Sequence, residues 1–111
     1  MATTEDFEKI DMRVGKIVKV EDYPEAKKHP SYKMEVDFGE EIGLKKCIGG
    51  YATNYSKEDM LNKLVLCVVN FPPRQIGSAI SEVLMLGIED ENGKAILIEP
   101  EKPVELGVRM Y

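Results

Sequence analysis

Cysteine and histidine are scarce in this sequence, which contains two cysteines and one histidine. Cys47 and Cys67 each lie in an apolar segment, and neither has a second cysteine or a histidine at the spacing that zinc sites use. We therefore expect no metal and no other cofactor. The apolar surroundings favour two buried free thiols in the reducing cytoplasm, although the sequence leaves a disulfide between them open.

Long apolar runs and catalytic motifs are missing too. No segment approaches the roughly 20 apolar residues of a membrane-spanning helix, and no secretory h-region is present, so we predict a cytoplasmic protein without membrane insertion. Ser78 and Ser81 lack the Gly-x-Ser-x-Gly surroundings of a hydrolase nucleophile. The glycines between positions 39 and 50 lack the Gly-Lys-Ser/Thr ending of a phosphate-binding loop. We expect no catalytic residues and no enzymatic activity.

An overall positive charge is also absent, because 15 basic residues face 20 acidic ones for a formal net charge of −5. That total excludes a polycation that coats any nucleic acid or anionic membrane. The acidic excess lies at the ends: residues 1–11 carry a net −3 and residues 81–111 a net −4. Residues 12–80 carry eleven basic and nine acidic side chains, a net +2, which leaves room for a basic face.

The 111 residues, of which 43% are hydrophobic, suffice for one domain with its own core. Period-two alternation and β-branched runs dominate the chain, with a short amphipathic helix at its start and a helical segment in its middle. Ser56 and Asp59 form a potential capping box in that second helical segment. The predicted helices span 4–10 and 51–61, and the predicted strands span 13–20, 32–38, 44–48, 64–69, 82–88 and 94–98.

Three strands, a short helix and then two or more strands are the order of an OB-fold, a five-stranded Greek-key barrel. A small β-sandwich is the alternative. An OB-fold binds ligands through its second and third strands and the loops that flank them. The prediction is thus an all-β domain over residues 1–111, with a helical N-terminal extension (1–11) and a C-terminal extension (103–111).

Basic residues gather where that fold binds its ligands. They lie in the loop after the first strand, on the second and third strands and in the loop after the fourth strand: Lys27, Lys28, Lys33, Lys45, Lys46 and Arg74. Aromatic residues that could stack on bases are interleaved with them: Tyr23, Tyr32, Tyr51, Tyr55 and Phe71. We predict a nucleic-acid-binding face, with ordinary solvating charges as the alternative.

Several groups of residues, in this order, resemble one known family. They are Asp-Met-Arg-Val-Gly-Lys-Ile-Val at 11–18, Pro-Glu-Ala at 24–26, Lys-Met-Glu-Val-Asp-Phe-Gly at 33–39, Val-Asn-Phe-Pro-Pro-Arg at 69–74 and Ser-Glu-Val-Leu at 81–84. Together they look like the CsaA-type stand-alone tRNA-binding domain. Its relatives are the C-terminal domain of methionyl-tRNA synthetases and the domain of the endothelial monocyte-activating polypeptide.

The resemblance implies a non-catalytic homodimer that recognises tRNA by its shape and backbone charge. Lys33, Asn70, Ser81 and Glu82 stand at family motif positions near the implied binding face. Asn70 and Ser81 also have a structural interpretation, since asparagine at a strand end and serine in a loop commonly bond to nearby backbone. In a homodimer, the partner subunit would cover the apolar edges of the two terminal extensions.

The resemblance also implies an alternative function, because CsaA proteins are described as chaperones that assist the export of preproteins. Gln75 and Ile80 stand where relatives carry additional basic residues, so Arg74 is the one cation of its loop. Phe71, Ile76 and Ile80 could instead line an apolar groove for unfolded preproteins. Anchoring of this loop to the barrel is the structural interpretation of the two isoleucines.

Overall fold

The computed structural model describes all residues from 1 to 111. Nine strands and two helices follow one another along the chain. The helices are α1 (Thr4–Glu8) and α2 (Lys57–Met60). The strands are β1 (Met12–Tyr23), β2 (Ser31–Asp37), β3 (Leu44–Gly49), β4 (Leu64–Val68), β5 (Arg74–Ile76), β6 (Ala79–Ser81), β7 (Leu84–Met85), β8 (Gly87–Glu89) and β9 (Ala95–Leu97).

Five antiparallel strands form one curled sheet in the order β3-β2-β1-β4-β7, a half-barrel of the OB type, as predicted. The long strand β1 causes much of the curl, since its first half pairs with β4 and its second half with β2. The β1–β2 register shifts between Ile17 and Lys19, and such a bulge increases the local twist. At Gly15 a Cβ atom would lie 2.5 Å from Val36 Cγ1, so only glycine permits this close approach.

The core lies inside the curl and follows the alternation predicted for β2. Met34, Val36 and Phe38 are buried, whereas the residues between them are half-buried. Cys47 and Cys67 are free and buried in the same core, which confirms the predicted thiols. Because burial disfavours the thiolate, it raises the pKa of Cys47 to about 11 and that of Cys67 further.

The open side of the curl is closed by polar contacts between β3 and residues 81–82. Ser81 Oγ accepts a hydrogen bond from the Ile48 amide at 3.0 Å. Glu82 accepts one from the Lys46 amide at 2.9 Å through its side chain and returns one from its own amide to the Lys46 carbonyl at 2.8 Å. Glu82 thus bonds to a basic neighbour through the backbone of that residue, and it fixes the start of β7 beside β3.

Both helices are shorter than predicted, and each begins with a capping box. The second one, formed by Ser56 and Asp59, is the predicted box and directs Met60 into the core. Residues 51–56 of the second predicted helix are not helical: Tyr51 is buried, and Asn54 Nδ2 donates a hydrogen bond to the Ala95 carbonyl at 3.0 Å. Neither helix is long and apolar enough to cross a membrane.

The region after β4 differs most from the prediction. The loop predicted after the fourth strand contains the β5–β6 hairpin, whose two strands pair only with each other. The predicted strand 82–88 is interrupted at Leu86, whose amide bonds to Leu66 while its carbonyl accepts from Ile98. Asn92-Gly93, a dipeptide that favours tight hairpins, lies in the turn that joins β8 and β9.

The two terminal extensions lie together against β1. The Val14 amide bonds to the Val108 carbonyl at 3.0 Å, and the Met110 amide bonds to the Met12 carbonyl at 2.8 Å. Asp11 Oδ1 holds both arginines of this region, at 2.6 Å from Arg13 Nε and 3.4 Å from Arg109 Nε. The hydrogen bond to Asp11 is the main reason that the pKa of Arg13 is raised.

Candidate nucleic-acid interface

A groove of about 390 Å³ opens at one end of the half-barrel. One wall is loop 24–30, which joins β1 to β2, and the other wall is the β5–β6 hairpin. Gly49 and Gly50, at the end of β3, form part of the floor together with Ile48. Its basic lining residues come from both walls: Lys27, Lys28, His29 and Arg74. The fold therefore brings together cations that are far apart in the sequence.

Arg74 occupies the centre of this region, because it lines the groove and two adjoining ones. The larger of these, about 630 Å³, continues past Gly49 and Gly50 to Lys94 in the β8–β9 hairpin. The smaller, about 180 Å³, extends towards Phe71. Both continue the first groove, since they share Ile48 and Arg74 with it.

The cations of this end have no acidic partner. Six basic residues elsewhere form ion pairs with carboxylates: Lys9, Arg13, Lys19, Lys57, Lys63 and Arg109. None of the six predicted cations, Lys27, Lys28, Lys33, Lys45, Lys46 and Arg74, does so. Lys16, Lys94 and Lys102 are unpaired as well. The predicted set thus keeps its charge available to a ligand.

The outer face of the sheet explains why Lys33 and Lys46 are unpaired. Lys33 lies opposite Glu21 on β1, and Lys46 lies opposite Glu35 on β2. Both acids instead contact Lys19, whose Nζ is 3.1 Å from Glu21 Oε1 and 3.6 Å from Glu35 Oε2. These hydrogen bonds and charges raise the pKa of Lys19. Lys19 therefore neutralises the acids that could have paired with the other two lysines.

Lys45 lies on the other face of the sheet. It is opposite Val36, which is fully buried, whereas Lys46 is opposite the half-buried Glu35. Since neighbouring residues of a strand point to opposite faces, the two lysines cannot serve one flat surface. Lys45 therefore does not lie with Lys33 and Lys46 on the outer face of the sheet.

Asn70 and Ser81 are occupied by structural contacts. Asn70 accepts a hydrogen bond from the Asp11 amide at 2.9 Å and donates one to the Lys9 carbonyl at 2.8 Å, so it joins α1 to the barrel. Ser81 is buried, and its hydroxyl donates to the Val83 carbonyl at 3.0 Å while it accepts from Ile48. Both contacts agree with the structural interpretation of these residues.

Most of the predicted stacking residues are not available. Tyr23, Tyr32 and Tyr51 are buried, and their hydroxyl groups donate to backbone carbonyls. The half-buried Tyr55 accepts a hydrogen bond from the Leu97 amide at 3.1 Å. The stacking expectation is therefore wrong for the three buried tyrosines. Phe71 is the exposed aromatic ring of this end, with 44% of its surface accessible.

The predicted apolar residues separate into two groups. Phe71 and Ile76 line the smaller adjoining groove together with Leu84. Ile80 is 50% exposed and lies opposite Gln75 in the hairpin, whereas Ile76 lies opposite Ala79. Since neighbouring positions of a strand face opposite sides, Ile80 points away from the groove that Ile76 lines.

Sequence reasoning missed the structural role of three residues that shape the groove. Tyr23 and Glu25 bond to the tip of the β5–β6 hairpin, and Gly77 forms that tip. The Gly-Ser pair at 77–78 is a hairpin signal in the sequence. The residues that bond to this hairpin could not be found from such a signal, because they lie more than 50 positions earlier in the chain.

Comparison with known proteins agrees with this geometry. Residues 12–109 match the model of the family described as "Putative tRNA binding domain". A crystal structure of a CsaA chaperone protein from Picrophilus torridus is 45% identical, covers all of both chains and superposes with a TM-score of 0.92.

The chain belongs to the tRNA-binding domain family, in its CsaA-type branch. A second solved member of that branch, the chaperone CsaA from Bacillus anthracis, is 33% identical over 100% of this chain and 99% of its own, with a TM-score of 0.92. The match spans the half-barrel and the C-terminal extension, so the whole observed fold is that of the family.

The same domain occurs within longer proteins. The methionine–tRNA ligase of Thermococcus onnurineus is 40% identical over 106 residues, which are 96% of this chain and 14% of the ligase. The chain therefore spans about a seventh of the length of this curated relative.

Proposed function

We propose that this protein binds folded tRNA without catalysing a reaction, and that the groove between loop 24–30 and the β5–β6 hairpin is the centre of the binding site. Lys27, Lys28 and Arg74 contact phosphates, and Lys33 and Lys46 extend the basic surface along the sheet. The absence of ion pairs at these five side chains carries the proposal. A paired lysine must first give up its carboxylate, whereas an unpaired one exchanges only counterions.

The same surface favours tRNA over single-stranded or arbitrary nucleic acid. No row of exposed aromatic rings lies along the groove, so successive unstacked bases find few stacking partners. The cations instead lie on two walls and on the outer sheet face, an arrangement that suits the curved backbone of a folded RNA. The overall charge of −5 opposes binding to nucleic acid wherever these cations do not reach.

A salt titration tests this function. We expect binding of a folded tRNA transcript, measured by fluorescence anisotropy, to weaken with salt. The plot of log Kd against log salt concentration should be linear with a slope of about 3 to 5, the value for phosphate contacts by all five cations. A single-stranded RNA of the same length serves as the control and should bind at least about tenfold more weakly, because stacking residues are few. Equal affinity for both RNAs, or binding without salt dependence, would contradict the proposal.

Binding of unfolded preproteins is the second candidate function. One small groove favours it, because the exposed Phe71 lies there beside Ile76 and Leu84. Both similar CsaA structures are also those of proteins called chaperones. An apolar peptide segment would place a side chain in that groove. The basic and apolar grooves meet at Arg74, so RNA and peptide would compete.

Two variants of one small region test whether the apolar groove binds peptides. Phe71→Glu should abolish suppression of the aggregation of an unfolded preprotein, because it places a charge in the apolar groove. Ile80→Glu, on the other side of the hairpin, is the matched control and should leave suppression unchanged. Equal behaviour of the two variants would remove the groove as the peptide site.

We also propose that two copies of this chain form a dimer through their terminal extensions. An apolar groove of about 280 Å³ lies there, formed chiefly by Val14, Leu66, Ile98, Val104, Val108 and Met110. Phe7 on α1 is exposed as well. A second copy would bury this surface around a two-fold axis, as self-complementary patches do.

Sedimentation equilibrium tests the dimer at micromolar concentration. We expect the mass of a dimer for the unaltered protein and of a monomer for Val108→Glu, which places a charge in the apolar groove. Leu44→Glu, at an exposed leucine of β3, is the control and should remain a dimer. A monomeric unaltered protein would overturn this proposal. We propose a cytoplasmic location as well, because that is where a tRNA-binding protein meets its ligand.

A further inference from the structure

An acidic side chain, Glu25, lines the groove that the basic residues surround. A carboxylate in that position repels phosphate and lowers the local positive potential. No basic side chain neutralises it, since Glu25 takes part in no ion pair. Its charge therefore opposes the binding of RNA, and its presence needs another reason.

Glu25 is bonded to the tip of the β5–β6 hairpin. Its Oε2 atom accepts a hydrogen bond from Ser78 Oγ at 2.8 Å, and its Oε1 atom accepts one from the Ser78 amide at 3.2 Å. Both carboxylate oxygens are thus used by one residue of the opposite wall. Hydrogen bonds to an ionised acceptor are stronger than those to a neutral one.

Tyr23 makes a second connection beside the first. Its ring is buried, and its hydroxyl donates to the Ile76 carbonyl and accepts from the Ala79 amide at 3.2 Å. Ile76 and Ala79 are the residues on either side of the hairpin turn. Tyr23 and Glu25 therefore hold the turn of the hairpin from both of its strands.

Gly77 allows the tip to approach this closely. Its φ of +62° is one that residues with a side chain rarely adopt. A Cβ atom at this position would lie 2.7 Å from the Tyr23 hydroxyl oxygen and 3.2 Å from Glu25 Oε1. The hairpin tip and loop 24–30 are in direct contact, with no room for a side chain between them.

The hairpin needs this support because its strands pair only with each other. An isolated two-stranded hairpin is marginally stable in water. Its base is held by the Ser81 hydroxyl, which bonds to Ile48 and Val83. Arg74 is the first residue of β5, lies opposite Ser81 at this base and is itself exposed. The contacts at the base and the contacts at the tip therefore hold this wall of the groove together.

We propose that Glu25 is a positioning residue for RNA binding: with Tyr23 it fastens the hairpin tip to loop 24–30 and so holds Arg74 opposite Lys27 and Lys28. Its removal then weakens tRNA binding, although it takes a negative charge out of the binding groove. This inference rests on the proposed tRNA function of the groove. The sign of the effect separates it from a purely electrostatic role, under which the same removal strengthens binding.

Two substitutions at one position test the inference. Glu25→Ala removes the carboxylate and the connection together, and we expect it to weaken binding of a folded tRNA transcript about three- to tenfold, as the loss of hydrogen bonds to a charged acceptor does. Glu25→Gln removes the charge, keeps an acceptor for the Ser78 amide and offers its NH2 group to the Ser78 hydroxyl, which can accept. It should bind at least as tightly as the unaltered protein. A charge effect alone does not give this contrast with Glu25→Ala, because it strengthens binding in both variants.

Three further measurements identify the cause. Ser78→Ala should weaken binding in the same direction, and adding it to Glu25→Ala should weaken binding little more, because both changes break one contact. Amide hydrogen exchange at Ser78 and Ala79 should accelerate in Glu25→Ala. Glu40→Ala removes an exposed carboxylate from the β2–β3 turn, at the other end of both strands, and should leave affinity and exchange unchanged.

The outcomes separate the two proposals. Tighter or unchanged tRNA binding by Glu25→Ala, with Arg74→Ala weakened, would overturn the positioning role and leave the tRNA site in place. Weaker binding with unchanged exchange at Ser78 and Ala79 would also overturn it. If Arg74→Ala binds tRNA like the unaltered protein, the groove itself is not the RNA site and both proposals fail.

Discussion

Basic residues are paired with an acid at one end of this molecule and unpaired at the other. At the terminal end, Arg13 and Arg109 share the carboxylate of Asp11, and Arg13 also donates to the Gly107 carbonyl at 2.9 Å. At the groove end, Lys27, Lys28 and Arg74 have no acidic partner. The acid that does line the groove bonds to a serine instead.

This difference indicates that the position of the acids, more than the number of cations, determines which surface can bind an RNA. A chain with a net charge of −5 has enough carboxylates to pair every lysine and arginine. The fold places several of them in ion pairs at the terminal end and on the β1–β2 face, where they fix structure. The groove end keeps its positive charge for a ligand, while the terminal end offers apolar surface.

Charge reversal at paired and unpaired cations tests the comparison most strongly. We expect Lys28→Glu with Arg74→Glu to weaken tRNA binding about a hundredfold, since two charge-assisted contacts of roughly 1.5 kcal/mol each are lost. Lys57→Glu with Lys63→Glu changes the net charge equally, but at cations already held by acids. This control should weaken binding less than about threefold by electrostatics at a distance. Similar losses in both pairs would mean that only total charge matters.

Substitutions at the terminal end should change the stability of the protein and not its RNA binding. Asp11→Ala leaves two arginines without their carboxylate, and we expect the free energy of unfolding to fall by about 2 kcal/mol in urea denaturation. Glu41→Ala removes an exposed acid 3.6 Å from Arg13 Nη1 and should cost less than about 0.5 kcal/mol. A weaker tRNA affinity in Asp11→Ala would show that the two ends are not independent.

The buried thiols lie beneath both ends, Cys47 on β3 beside the groove and Cys67 on β4 opposite Arg13. Because burial raises the pKa of Cys47 to about 11 from an ordinary value of 9.0, the folded state retains its proton longer than the unfolded state. The contribution of the Cys47 thiol to the free energy of unfolding is fully present below pH 9. It should fall by about 1 to 2 kcal/mol as the pH rises towards 11. Cys47→Val should lessen this decline in urea denaturation; an equal decline would assign it to other groups.

Substitutions in the two capping boxes should have the smallest effect on stability. Ser56→Ala should destabilise the fold by about 1 kcal/mol, because α2 carries the fully buried Met60. Thr3→Ala removes the equivalent cap of α1, which buries no residue in the single chain, and should cost less. Thermal unfolding measures both. An equal cost would indicate that α1 is covered, as it would be in a dimer.

The half-barrel was predictable because its strands are local patterns. The alternation from Tyr32 to Phe38 places every second side chain in the core, and the structure follows it. The capping box at Ser56 and the hairpin signal Asn92-Gly93 are equally local, and the structure contains both. The β5–β6 hairpin was missed, because its strands are three residues long and are held by partners from another loop.

The candidate site was predictable as a set of residue types and not as a surface. The sequence by itself determined that this chain is an OB-type tRNA-binding domain with six candidate cations, since composition, strand order and motifs are properties of the chain. Only the tertiary structure decided that Lys45 faces away from Lys46, that Asn70 and Ser81 are occupied, and that Glu25 holds the hairpin. These facts depend on which distant atoms come within hydrogen-bond distance, and register and loop closure fix that only when the chain is folded.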